Sequence, residues 1–251
     1  MATTTHRSRQ RAFVAALAAV LALASLAGCS KSDPDPVVGA TMISAGGVDV
    51  NAIVRTPTDL QYVDGTPLTA LFLHGQSYTS DIWLERGILD AVANKTGFRA
   101  VAIDLPGHGD TDERKSGSES AVSDGTWLRS LVDKLGGPAH VVIVSPSMSG
   151  RYSLGYLEQY PKDALLGFVP VAPVGIDDFK RPASAFPVQA MSIWGSKDPT
   201  YSPERAAHLL TQMRGGDGDS THLIQGAGHA CYDDDPKAFT ALLVSFLTTV
   251  H

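Results

Sequence analysis

A chain of 251 residues that is 43% hydrophobic and 18% charged can bury one sizeable α/β core and is too apolar for a disordered polymer. Its formal net charge is −6 and no run of Lys or Arg stands out. The clustered cations needed to displace counterions from a phosphate backbone are missing, so nucleic acid is not an expected partner.

The first element is a processing signal. Arg7, Arg9 and Arg11 precede an apolar run over residues 12–26, which ends in Leu26-Ala27-Gly28-Cys29. A short apolar segment with small residues at its end reads as a secretory signal rather than a membrane span. Cys immediately after Leu-Ala-Gly resembles the lipobox of bacterial lipoproteins. The expectation is therefore a signal peptide over residues 1–28, lipidation of Cys29, and an exported protein anchored by lipid to a bacterial membrane. Ser30 after that Cys favours the outer membrane or cell surface. Residues 29–38, polar and broken by Pro34 and Pro36, read as a tether. The seven residues after Cys29 reach at most ~25 Å. Cleavage leaves Cys231 as the only unmodified thiol, so stability must come from the core of a domain over residues 39–251.

From residue 37 onward apolar runs alternate with helix-like stretches. Residues 37–44 and 48–55 flank Gly46-Gly47 and predict an antiparallel hairpin. Further strands are expected at 68–73, 100–103, 140–144, 167–171, 188–194 and 222–224. Between them, Trp83, Ile88, Leu89 and Val92 fit one helical face, as do Trp127, Leu128, Leu131, Val132 and Leu135. Ser202-Pro203 and Asp235-Pro236 read as helix starts. Continuous apolar strands alternating with amphipathic helices predict a mostly parallel sheet with helices on both faces. Ligands of such sheets bind at the carboxyl ends of the strands.

The strand at 140–144 runs into Ser145-Pro146-Ser147-Met148-Ser149-Gly150-Arg151. A strand entering a helix through small residues is the context of a nucleophile elbow, usually G-x-S-x-G. The turn requires small residues two before and two after the nucleophile. Ser145 as nucleophile would place Ile143 at minus two, and Ser149 would place Arg151 at plus two. Only Ser147 has small neighbours at both positions, although they are Ser rather than Gly.

Serine needs a general base, itself oriented by a carboxylate, and on this kind of fold the chain order is Ser, acid, His. His229 lies in Gly226-Ala227-Gly228-His229-Ala230, just past the last predicted strand. His6, His251, His140, His222 and His208 lie at the chain ends, at the wrong end of strands or within a helix, and His74 reads as packing its loop. Asp198 follows the strand ending at Trp194 by a short turn; Asp177, Asp178 and Asp233 are loop alternatives. An oxyanion needs two preorganised N–H donors: Met148, after the nucleophile, and Gln76 in His74-Gly75-Gln76-Ser77, with Ser77 as fallback. No metal-ligand spacing or phosphate loop is present, so neither metal nor cofactor is expected.

Gly97–Gly109 resembles the loop after the fourth strand of α/β-hydrolases, and Ser145–Leu154, Gly167–Pro173 and Gly226–Tyr232 together resemble the α/β-hydrolase domain-containing protein 14 family, a match running from about Gly39 to Leu247. The resemblance implies an eight-stranded hydrolase core, Ser147, Asp198 and His229 as a triad, and activity on small acyl esters, with deacetylation as a further possibility. Only residues 175–187 separate two strands where a lid is often inserted, so a minimal cap and a small-molecule acyl substrate are expected. Acyl transfer by the same triad and a membrane-tethered binding role without catalysis are the alternatives.

Overall fold

The computed structural model describes residues 39–114, 123–179, 188–205 and 221–250. The residues expected to form a signal, Cys29 and the expected tether lie outside them, as do much of the 175–187 connection and most of the helix expected after Ser202-Pro203. Among the described residues no helix is long and apolar enough to cross a membrane.

The strands are β1 (Gly39–Ala45), β2 (Val48–Arg55), β3 (Tyr62–Val63), β4 (Thr66–Pro67), β5 (Thr69–Phe72), β6 (Arg99–Ile103), β7 (Val141–Pro146), β8 (Gly167–Val171), β9 (Gln189–Ala190), β10 (Ser192–Gly195) and β11 (Thr221–Ile224). The main sheet runs β1-β2-β6-β5-β7-β8-β10-β11, with the two-residue β9 also pairing with β8; β3 and β4 form a separate small hairpin. β2 is antiparallel to both neighbours, and from β6 to β11 every pairing is parallel. Eight strands of this path are the expected ones.

The period of two along each strand divides the core into two layers. Leu71, Val101, Ile103, Val141 and Ile143 face one side, where they pack with Trp127, Leu128 and Leu131 of α3 (Asp124–Lys134) and Tyr156 and Leu157 of α4 (Gly150–Gln159). Ala70, Phe72, Ala100, Ala102, Val142 and Val144 face the other, against Ile88, Leu89 and Val92 of α2 (Ile88–Thr96) and, beyond the one-turn α5 (Cys231–Asp234), Phe239 and Leu243 of α6 (Pro236–Leu247). A strand apolar on both faces is stable only when both are covered, and here they are. α6 begins as the sequence indicates, with the Asp235 carboxylate accepting the Ala238 N–H at 2.9 Å and Pro236 at the first helical position.

Three boundaries differ from expectation. The helical face from Trp83 to Val92 is split into α1 (Asp81–Glu85) and α2, because Gly87 adopts a left-handed conformation, φ +67°, between them. The run 188–194 breaks into β9 and β10. His140 does not open β7 but closes a 3₁₀ turn, Pro138–His140, with its Nδ1 2.9 Å from the Gly136 carbonyl.

Candidate active site

β7 delivers Ser147 to the carboxyl edge of the sheet. Its φ is +47°, a left-handed value uncommon for a residue with a side chain and found where surrounding structure over-determines it. That surrounding is a line of buried hydroxyls. Ser149 Oγ donates to the Pro146 carbonyl at 2.7 Å, while Ser145 Oγ lies 3.0 Å from Ser149 Oγ and 2.7 Å from Ser153 Oγ. Each hydroxyl carries one hydrogen, so the direction is fixed: Ser153 donates to Ser145, Ser145 to Ser149, and Ser149 to the carbonyl preceding Ser147. The two serines that replace glycine at the elbow are therefore small enough to bury and are fully satisfied there.

The other two residues come from the next strand ends. The turn after β10 carries Asp198 and the loop after β11 carries His229. These segments are joined backbone to backbone: Ser196 N–H to the Ile224 carbonyl at 3.0 Å and Lys197 N–H to the Ala227 carbonyl at 2.8 Å. The fit is close, since a Cβ on Gly195 would come 1.9 Å from the Gly228 carbonyl oxygen. Asp198 Oδ1 accepts the Thr200 and Tyr201 N–H groups at 2.7 and 3.1 Å, which leaves Oδ2 facing His229 Nδ1 at 2.9 Å. A carboxylate only accepts, so Nδ1 holds the ring hydrogen, and Nε2 presents its lone pair to Ser147 Oγ at 2.8 Å. The Asp198 side chain is fully buried and that of His229 is 26% exposed, so the carboxylate is shielded from solvent while the imidazole is partly open to it. The Tyr201 ring packs beside His229, centroids 5.7 Å apart. Of the alternative acids, Asp177 pairs with Arg205 and Asp233 with Arg86 and Tyr78.

The loop after β5 lies beside Ser147. A Cβ on Gly75 would sit 3.6 Å from Ser147 Cβ and 3.3 Å from Tyr232 Oη, so a side chain there would intrude on the site. Gln76 follows directly, and its amide donates to no protein acceptor among the described residues. A cleft of 580 Å³ opens beside it, walled by Tyr78, Asp81, Ile82, Glu85 and His108, within the usual size of small-molecule sites. Cys231 is fully buried, and burial pushes its thiol up to about 12, which suits a packing side chain and not a second nucleophile. Among the described residues no group of three or more His, Cys, Asp or Glu is placed to hold a metal ion.

Sequence reasoning passed over Asp104. Its buried carboxylate receives the Ser80 N–H at 2.7 Å, the Asp110 N–H at 2.9 Å and Asn51 Nδ2 at 2.9 Å. It thereby ties the loops after β5 and β6 to β2. No local spacing signals this, because the donors lie up to 53 residues away.

A sheet of this strand order, with Ser, His and Asp hydrogen-bonded in line at its carboxyl edge, defines an α/β hydrolase. The chain belongs to that family: the alpha/beta hydrolase fold model matches residues 71–215. Within it, the chain is similar to the ABHD14 proteins. It is 36% identical over 183 residues to the putative protein-lysine deacylase ABHD14B of Homo sapiens, covering 71% of this chain and 82% of that protein. It is 36% identical over 186 residues to ABHD14A of Danio rerio, covering 72% of this chain and 64%, somewhat less than two thirds, of that protein. Among solved structures, a predicted CIB-like hydrolase from Thermoplasma acidophilum superposes with a TM-score of 0.70 at 23% identity, over 85% of this chain and 99% of that one. The esterase RhEst1 from Rhodococcus sp. ECU1013 gives 0.61 at 16%, over 84% and 98%. The two superpositions speak to the fold.

Proposed function

We propose that the protein hydrolyses small acyl esters through an acyl-enzyme on Ser147. The observation that carries this reading is the alignment of Ser147 Oγ, His229 and Asp198 at 2.8 and 2.9 Å, with Ser147 held at φ +47°. His229 Nε2 takes the hydroxyl proton as Ser147 Oγ bonds to the acyl carbon. The oxyanion is met by the Gln76 and Met148 amides. Collapse breaks the ester bond and expels the alcohol, which receives the proton from His229. Water then gives a proton to His229, attacks the acyl carbon and releases the acid, and Ser147 recovers its hydrogen. The buried Asp198 stabilises the imidazolium formed twice in the cycle.

A second reading uses the same residues on acyl-lysine or with an acceptor other than water; the similarity to a protein named as a putative protein-lysine deacylase favours it. At the N-terminus, Leu26-Ala27-Gly28-Cys29 supports a lipid-anchored, exported protein, with residues 29–38 as tether.

The substrate reading is tested by a series of esters of graded acyl length alongside acetyl- and butyryl-lysine peptides. Each buried methylene contributes ~0.8 kcal/mol, so a closed tunnel would raise efficiency steadily with chain length. With so short a connection over residues 175–187, efficiency peaks at acetyl to butyryl esters. A profile rising to octanoyl contradicts the small-acyl reading, and faster turnover of the peptides moves it to deacylation.

A further inference from the structure

His74 has no place in the proton relay, yet it is fully buried and both of its ring nitrogens are engaged. Nε2 accepts the Leu105 backbone N–H at 2.9 Å. That fixes the neutral tautomer with its hydrogen on Nδ1, which donates to the Gly75 carbonyl at 2.8 Å. The Gly75 carbonyl and the Gln76 N–H belong to one peptide unit. No cis peptide bond is present, and in a planar trans unit the carbonyl and the N–H point in opposite directions. Holding one therefore aims the other.

We propose that His74 is a positioning residue that aims the Gln76 amide at the oxyanion formed on Ser147, an inference that rests on the serine-hydrolase reading above. The neighbouring contacts agree with it. Tyr78 N–H is a second donor to the Gly75 carbonyl at 3.1 Å, and Trp83 Nε1 holds the Leu73 carbonyl at 2.8 Å, so the loop is pinned on both sides of His74. A Cβ on Gly75 would already sit 3.6 Å from Ser147 Cβ, so the backbone here runs close beside the serine with no side chain between them. Burial lowers the His74 pKa, which keeps Nε2 an acceptor; a hydrogen there would confront the Leu105 N–H. Because Leu105 belongs to the loop that also carries His108, the imidazole ties the direction of the amide to the wall of the adjacent cleft.

The two nitrogens can be separated. In His74→Asn the side-chain amide nitrogen overlays Nδ1 and keeps the bond to Gly75. In His74→Gln the amide oxygen overlays Nε2 and keeps the bond to Leu105. Fluorophosphonate labelling of wild type at Ser147 is recorded first; its absence overturns the hydrolase reading, not this inference alone. Steady-state kinetics on an acetyl ester, affinity for a trifluoromethyl ketone and melting temperature are then compared. Asn should hold kcat within ~3-fold, while Gln should lose ~10- to 100-fold in kcat at little change in KM, part of the ~10²–10³ that a whole oxyanion donor contributes. Ketone affinity should fall by the same factor, since the adduct carries the oxyanion. Equal kinetics for the two variants, or losses that follow melting temperature alone, overturn the proposal. In the wild type, where folding is not in question, the ketone adduct should move the Gln76 amide proton downfield while the His74 Nδ1 proton persists in NMR spectra. An unmoved Gln76 proton or a vanished His74 proton overturns it equally.

Discussion

The Nε2 atom of His229 lies 2.8 Å from the Oγ of Ser147, across 82 positions of sequence. That contact depends on two independent loops. One is the elbow, whose hydroxyl line fixes the carbonyl before Ser147; the other is the pair of turns after β10 and β11, stitched together by Ser196 and Lys197. Each loop carries one partner of the hydrogen bond and so sets one end of it.

Asp198→Asn tests the orientation of the base. The Thr200 and Tyr201 N–H groups will keep the amide oxygen where Oδ1 now lies, which turns the NH₂ toward His229 Nδ1. The imidazole must then accept at Nδ1 and carry its hydrogen on Nε2, where it can no longer receive the serine proton. Turnover should fall by ~10³–10⁴-fold, as for such a substitution in other triads, with folding retained. Activity within ten-fold of wild type, in an ester assay, would refute this tautomer argument.

Stability should depend on pH through two buried groups near the site. Burial lowers the His74 pKa from 6.5. For Asp104 burial acts upward, but hydrogen bonds from Ser80, Asp110 and Asn51 prevail and hold it below 3.8. A depressed pKa means that the unfolded chain binds the proton more readily, so the stabilisation is present above the unfolded pKa and is lost as pH falls. The expected loss begins below about 6.5 for His74 and below about 3.8 for Asp104. Melting curves of wild type and His74→Gln should converge between pH 7 and 5, because the variant lacks the titrating ring. A constant separation over that window would contradict the assignment.

Much of this was legible in residue pattern. Apolar runs located the strands because strands covered on both faces carry no polar alternation, and side-chain size at the elbow isolated Ser147. The break at Gly87 was less visible: the apolar spacing from Trp83 to Val92 continues through it, and only the left-handed backbone there divides the helix. The Asp104 hub and the two-sided engagement of His74 were not legible, since each joins loops that meet only after the sheet has formed. Asp198 was found by its distance from a strand end, which is a local property.

Cys29 offers a test at the other end of the chain. The full-length protein should partition into membranes or the detergent phase, and Cys29→Ser should release it or block processing. Mass spectrometry finding a soluble wild type with an unmodified N-terminus would end the lipoprotein proposal, and would leave the hydrolase site untouched.

The most direct measurement is fluorophosphonate labelling with peptide mapping, run beside ester turnover, on wild type, Ser147→Ala and Ser145→Ala. Wild type should be modified at Ser147. Ser147→Ala should lose both labelling and nearly all turnover. Ser145→Ala breaks the hydroxyl line but keeps the nucleophile, so it should still label. Persistent labelling or turnover in Ser147→Ala would contradict the account at its centre.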